Sequence, residues 1–124
     1  MSEQIREICN KVYRILGPGH AECVYHRATE VSLREMNIPY QTEVNVPIVF
    51  EKHTIGNFRV DLIVDNKTIV ELKAIRALNG DCKLQAKNYM RFTGIQHSLL
   101  VNFPQKENCH ECDFEEYLDL IDTL

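Results

Sequence analysis

The segment from 61 to 73 constrains the fold more than any other part of the chain. It consists of two apolar runs rich in β-branched residues on either side of the polar turn 65–67. This pattern predicts a β-hairpin. Each run also carries charge at positions where strand packing alone would favour apolar residues, namely Asp61 in the first run and Glu71 and Lys73 in the second.

The length of the hairpin loop decides where these charges point. With a three-residue loop, Asp61 lies opposite Glu71, and Lys73 is two residues further along on the same face. With a two-residue loop, Asp61 pairs with Val70 and the carboxylates point to opposite faces unless a bulge restores the phase. In the first register, two carboxylates ~5 Å apart at an effective dielectric of ~20 repel by about 3 kcal/mol. A fold that keeps such a pair needs a cation between them, which indicates metal-dependent chemistry.

Length and composition predict a single α/β domain that functions inside the cell. The chain has 124 residues, 44% of them hydrophobic and 26% charged, as is usual for one globular domain. It has neither an apolar run long enough to span a membrane nor a secretory signal, so we expect a cytoplasmic or nuclear location. The net charge of −4 argues against a large non-specific nucleic-acid surface. A local basic patch is still available from Arg59, Lys73, Arg76, Lys83, Lys87 and Arg91.

Hydrophobic periodicity and turn residues predict the order α-α-β-β-β-α-β-α. The predicted helices are 3–16, 21–36, 82–92 and 113–124, and the predicted strands are 43–50, 54–64, 68–74 and 97–103. Pro47 is expected to interrupt the first strand, and Gly56 to mark a bulge in the second. The third strand, the helix after it and the fourth strand form a right-handed parallel unit. We therefore expect a mixed sheet with helices on both faces, made by residues 1–104, and a tail of residues 105–124 with a short helix in the same domain.

The remaining candidate ligands are five cysteines and five histidines. Cys109-His-Glu-Cys112 is a lone Cys-x-x-Cys, without a second pair at zinc-finger spacing. A surface loop with two reduced thiols is its simplest interpretation, and a zinc or thiol-redox site is the alternative. The histidines are scattered along the chain, and we interpret them as structural or surface residues.

Four motifs in order resemble one known family. Residues 19–25 read Gly-His-Ala-Glu-Cys-Val-Tyr and match the signature of the GxxExxY proteins. Asp61, then 71–73 (Glu-Leu-Lys), then Gln85 and Tyr89 match the ordered motifs of the PD-(D/E)XK nuclease superfamily. The resemblance covers residues 3–103. It implies a restriction-endonuclease-like core, α-β-β-β-α-β, and hydrolysis of phosphodiester bonds in DNA or RNA that depends on Mg²⁺ or Mn²⁺.

The resemblance also implies roles at the metal and around it. Asp61 and Glu71 would be metal ligands together with the backbone carbonyl of Leu72, since Mg²⁺ prefers oxygen ligands. Glu22 would be an additional ligand or would orient a metal-bound water. Lys73 would position or help deprotonate the attacking water and offset charge on the phosphate.

Further residues would serve the substrate. Gln85 would orient the nucleophile or a ligand, and Tyr89 would pack behind it or touch the nucleic acid, although their four-residue spacing also suits an ordinary helix face. Arg76 and Lys87 would bind the phosphate backbone. The resemblance is compatible with a homodimer, and DNA is the favoured partner. The alternative function is a nuclease-fold binding or scaffolding module with weak or no cleavage.

Overall fold

The computed structural model describes residues 1–118 and contains three helices and five strands. They are α1 (Ser2–Leu16), α2 (Glu22–Glu35), β1 (Tyr40–Phe50), β2 (His53–Val64), β3 (Thr68–Lys73), α3 (Cys82–Thr93), β4 (His97–Asn102) and β5 (Asp113–Leu118). The sheet has the order β1-β2-β3-β4-β5. β3 and β4 are parallel, and the other neighbours are antiparallel. The predicted mixed sheet is confirmed. None of the helices within 1–118 has both the length and the apolar character needed to cross a membrane.

The helices cover both faces of the sheet, and alternation along the strands decides what each helix contacts. Leu62 and Val70 pack with α1 and α2 in one core cluster, whereas Ile63 and Ile69 pack with α3 in a second. Successive strand residues point to opposite faces. In β3 the odd-numbered position Ile69 therefore faces α3, whereas in β2 both Val60 and Ile63 lie in the α3 cluster, so the alternation along β2 is broken between Val60 and Leu62.

The loop between β2 and β3 has three residues, as the first of the two predicted registers requires. Val64 pairs with Thr68, and the Lys67 amide donates to the Val64 carbonyl at 3.0 Å. Asp65 and Asn66 have φ values of 54° and 55°, a left-handed conformation that Asp and Asn adopt more readily than most residues. The alternative two-residue loop is wrong, and the observed strand register brings Asp61 close to Glu71.

β1 is longer than predicted at the end that pairs with the C-terminal part of β2. β1 starts at Tyr40 and runs through Pro47, which pairs with Asn57 instead of interrupting the strand. Because β1 is an edge strand, proline's missing N–H is tolerated there. The register shifts between Ile48 and Val49. Ile48 lies opposite Gly56, so the irregularity falls beside the glycine at which a bulge was predicted.

The helix predicted from residue 113 is wrong where the structure describes it. β5 occupies Asp113–Leu118 and is antiparallel to β4. The three-residue spacing of Phe114 and Tyr117 is compatible with a helix, but in a strand it sends the two rings to opposite faces. Phe114 packs against the α1/α2 core and Tyr117 against the α3 core. The rest of the predicted helix, residues 119–124, lies outside the described residues.

Candidate active site

The carboxylates of Asp61 and Glu71 are joined to each other's strands by two side-chain hydrogen bonds. The Asp61 amide donates to Oε1 of Glu71 at 2.9 Å, and the Leu72 amide donates to Oδ2 of Asp61 at 2.8 Å. The described β2–β3 residue pairs end at Leu62 and Val70. The two side chains therefore continue the hydrogen bonding between β2 and β3 beyond the point where the backbone pairing ends.

Burial makes this carboxylate pair reluctant to carry two negative charges. Glu71 is only 7% exposed. Desolvation, followed by the charge of Asp61, raises the pKa of Glu71 to about 8, while the Lys73 ammonium opposes the shift. Desolvation also raises the pKa of Asp61, against a hydrogen bond from the Leu72 amide and the positive charges of His26 and Lys73. Binding of a proton or of another cation to this carboxylate pair is thus favoured, because it reduces the buried negative charge.

Glu22 belongs to the same electrostatic environment although it comes from a distant part of the chain. It is the first residue of α2. Desolvation and then the charge of Asp61 raise its pKa, whereas Lys73 and His26 lower it. The fold therefore brings Glu22, Asp61, Glu71 and Lys73 within mutual electrostatic reach, as the resemblance implies.

The acidic residues form a close pair with a more distant third member. Within residues 1–118, no three His, Cys, Asp or Glu side chains are grouped so as to hold a metal ion. Glu22 is thus not gathered with Asp61 and Glu71 as a third ligand. The same finding applies to the Cys109/Cys112 segment. The donor chemistry of the pair nevertheless fits a divalent cation, because it supplies carboxylate oxygens whose raised pKa values a cation would lower.

Gln85 shares a cleft with Lys73. The cleft has a volume of about 380 Å³ and is lined by Lys73, Ile75, Asn79, Asp81, Cys82 and Gln85. Gln85 is half-buried on α3, so its amide is available beside the ammonium. Arg76 is exposed in the loop after β3, and Lys87 is half-buried on α3. These two cations lie outside the lining of the cleft.

Tyr89 lies behind the carboxylates rather than on the surface. It is 4% exposed, and its ring makes an edge contact with Phe58 at 5.3 Å between centroids. Its hydroxyl donates to the Arg59 carbonyl at 3.4 Å, and burial followed by the charges of Glu71 and Asp61 raises its pKa. Of its two predicted roles, the geometry favours packing behind the site, because a buried ring offers no surface to a substrate.

His26 is a neighbour of the site that sequence interpretation missed. Its charge lowers the pKa values of both Glu22 and Asp61. Its Nε2 lies 2.9 Å from Oγ1 of Thr42 and 3.5 Å from a carboxylate oxygen of Glu30. The available signal was the four-residue spacing from Glu22, which puts both residues on one face of α2.

Comparisons with known proteins agree with this geometry. A family model described as the PD-(D/E)XK nuclease superfamily matches residues 1–113. The crystal structure of the protein SSO0001 superimposes with a TM-score of 0.58 at 20% sequence identity, over 77% of this chain and 48% of that one. That likeness concerns the fold alone, and the chain spans about half the length of SSO0001. No curated protein sequence matches the chain. The chain belongs to the PD-(D/E)XK nuclease superfamily.

Proposed function

We propose that this protein is a nuclease that uses Mg²⁺ or Mn²⁺ to hydrolyse phosphodiester bonds, with DNA favoured over RNA. The observation that carries the proposal is the reciprocal pair of hydrogen bonds between the Asp61 and Glu71 positions. It keeps the two carboxylates together and close enough to Lys73 for the ammonium to lower the pKa of each. A protein without use for a cation would gain by replacing one of these acids.

Each site residue has a separate role in the proposed hydrolysis. Asp61 and Glu71, with the backbone carbonyl of Leu72, would hold the divalent cation, which when bound acidifies water and stabilises charge on the phosphate. Lys73 places a compact positive charge beside the phosphate and restrains the attacking water. Glu22 accepts a hydrogen bond from that water and fixes its direction. Gln85, in the cleft beside Lys73, orients the same nucleophile.

The substrate class rests on the superfamily and on local charge. The net charge of −4 gives no general attraction to nucleic acid, so binding must use a limited basic surface. Arg76 and Lys87 border the site in sequence and are the proposed phosphate contacts. Gly19, Glu22 and Tyr25 support assignment to the GxxExxY branch. The homodimer remains a prediction that sedimentation equilibrium would test.

Cleavage assays with matched variants test the function. Single-stranded, duplex and branched DNA and a single-stranded RNA are incubated with the protein and with Mg²⁺, Mn²⁺ or EDTA. We expect cation-dependent cleavage that falls at least 100-fold in Lys73→Ala and Asp61→Asn. The exposed Lys52→Ala variant, at the β1–β2 turn, is the control and should retain activity. Equal activity in wild type and both site variants would identify a contaminating nuclease and overturn the proposal.

A binding module of nuclease fold is the second candidate function. It is favoured by the lack, within residues 1–118, of three acidic or histidine side chains grouped around one point. Such a module would bind nucleic acid equally well with EDTA and with Mg²⁺ and would leave it intact. Fluorescence anisotropy together with the cleavage assay separates the two functions.

A further inference from the structure

Gln105, in the segment after β4, uses both ends of its side-chain amide. Its Oε1 accepts a hydrogen bond from the Gly19 amide at 2.8 Å. Its Nε2 donates to the hydroxyl of Tyr25 at 3.2 Å and to the carbonyl of Phe103 at 2.9 Å. Its own backbone amide donates to the Ile75 carbonyl at 3.0 Å. A single residue thus bonds to three separate segments of the chain.

Two of these segments flank the proposed reacting groups. Gly19 is three residues before Glu22, in the turn that leads into α2. Ile75 is two residues after Lys73, where β3 ends. Gln105 therefore joins the element that carries Glu22 to the strand that carries the lysine, and it does so without touching either side chain.

The turn before α2 is held by side-chain contacts rather than by a helix cap, and one of them places the His20 ring 2.9 Å from the Leu16 carbonyl. The N-cap of α2 is Ala21, which makes no side-chain capping hydrogen bond, so the helix start lacks the usual restraint. Gly19 has a φ of 104°, a conformation that strongly favours glycine. The Tyr25 hydroxyl donates to the Gly17 carbonyl at 2.7 Å, and Gln105 donates to the same hydroxyl. The tyrosine and the glutamine together restrain the turn.

The residues to which Gln105 and the turn are attached, Tyr25 and Phe103, are held firmly in the core. Tyr25 is fully buried, and its ring stacks on Phe103 at 4.4 Å between centroids, with an angle of 10° between the rings. Phe103 is itself fully buried, and its amide donates to the Lys73 carbonyl at 2.8 Å. A movement of the turn before α2 is thus resisted by the core of the sheet through Tyr25 and Gln105.

We propose that Gln105 is a positioning residue that sets the placement of Glu22 relative to Glu71 and Lys73. The proposal rests on the proposed nuclease function, because it assigns Glu22 to the reaction. A misplacement of about 1 Å caused by a change remote from the reacting groups can cost about 100-fold in rate. Gln105 does not contact the substrate; it acts through the turn and the first residue of α2.

Steady-state kinetics of Gln105→Ala give the first test. We expect kcat to fall about 10- to 100-fold with KM within about twofold of wild type. Gln105→Glu keeps an oxygen for the Gly19 amide and should lose less than the alanine variant. The matched control is Gln96→Ala, which removes the same side chain from an exposed position before β4. Equal kcat in Gln105→Ala and Gln96→Ala would overturn the proposal.

A double variant separates positioning from a general structural defect. If Gln105 acts through Glu22, then Glu22→Gln combined with Gln105→Ala should cleave at the rate of Glu22→Gln alone. Independent, multiplying losses would overturn the proposal. Amide hydrogen exchange supplies a readout without turnover: the Gly19 amide should exchange at least tenfold faster in Gln105→Ala and unchanged in Gln96→Ala. An unchanged Gly19 rate would also overturn it.

The outcome remains interpretable if the wild-type protein fails to cleave. That result would reject the proposed function alone. Broadening of the Glu22 amide resonance by Mn²⁺ would then report the distance between Glu22 and the ion. Weaker broadening in Gln105→Ala than in wild type would support the positioning role, and equal broadening in the two proteins would overturn it.

Discussion

Replacing Glu71 by glutamine should make the cation-free protein more stable at alkaline pH. The amide keeps an oxygen that can accept the hydrogen bond from the Asp61 amide, which Oε1 of Glu71 accepts at 2.9 Å. It removes the negative charge that burial and Asp61 disfavour. The substitution therefore isolates the electrostatic cost of the carboxylate pair while preserving its shape.

The size and direction of the effect follow from the pKa of Glu71. Its pKa is raised from 4.5 to about 8, so between these values the folded chain holds more protons than the unfolded chain. Stability therefore falls as the pH rises from about 4.5 to 8, and it levels off above that. About 3.5 pH units at about 1.4 kcal/mol each give about 5 kcal/mol. Because Glu71 and Asp61 titrate as a pair, we expect a loss of about 2 to 5 kcal/mol.

Urea unfolding between pH 5 and 9 in the presence of EDTA measures this loss. The wild-type free energy of unfolding should decline over this range, and that of Glu71→Gln should decline much less. The exposed Glu107→Gln variant is the control and should follow wild type. Saturating Mg²⁺ at pH 8 should restore stability to wild type but not to Glu71→Gln. Parallel pH profiles for wild type and Glu71→Gln would refute the reasoning.

Two further substitutions test the framework around the site by urea unfolding. Asn102 is fully buried, and its side-chain amide forms hydrogen bonds with both the N–H and the C=O of Ile75. Asn102→Ala should therefore lower the free energy of unfolding by about 2 to 4 kcal/mol, whereas the exposed control Asn57→Ala should lower it by less than about 0.5 kcal/mol. A loss below about 1 kcal/mol in Asn102→Ala would contradict this prediction. Arg59 pairs with Glu43 at 2.9 Å, but the side chains are 66% and 58% exposed, so Arg59→Ala should cost less than about 1 kcal/mol. A loss above about 2 kcal/mol would show that this pair is structural.

The hairpin that carries the site could be predicted because its determinants are local. Apolar alternation identifies the strands, and Asp65 and Asn66 supply the positive φ values of the three-residue loop, which these residue types adopt readily. That loop places Val64 opposite Thr68. Nothing distant is needed to carry Asp61 towards Glu71.

The restraints on the site could not be predicted, because they join residues far apart in the chain. Gln105 lies in a segment that its polarity alone marks as a loop, and its bonds reach 86 residues back to Gly19. β5 was mistaken for a helix because the spacing of Phe114 and Tyr117 suits both structures, and only pairing with β4 decides between them. His26 was dismissed because its relation to Asp61 depends on how α2 packs on the sheet.

The structural role of the two hairpin carboxylates is compatible with the chemical role that we propose for them. Oδ2 of Asp61 accepts the Leu72 amide and Oε1 of Glu71 accepts the Asp61 amide, so one oxygen of each residue maintains strand pairing. In the described part of the chain, the second oxygen of each has no hydrogen-bond partner. Under the proposed function, a cation would bind the second oxygen of each carboxylate, and neither of the two hydrogen bonds would have to break. Since those bonds fix both side chains in the cation-free protein, a cation bound as proposed would cost little conformational entropy, and it would relieve the repulsion between the two carboxylates.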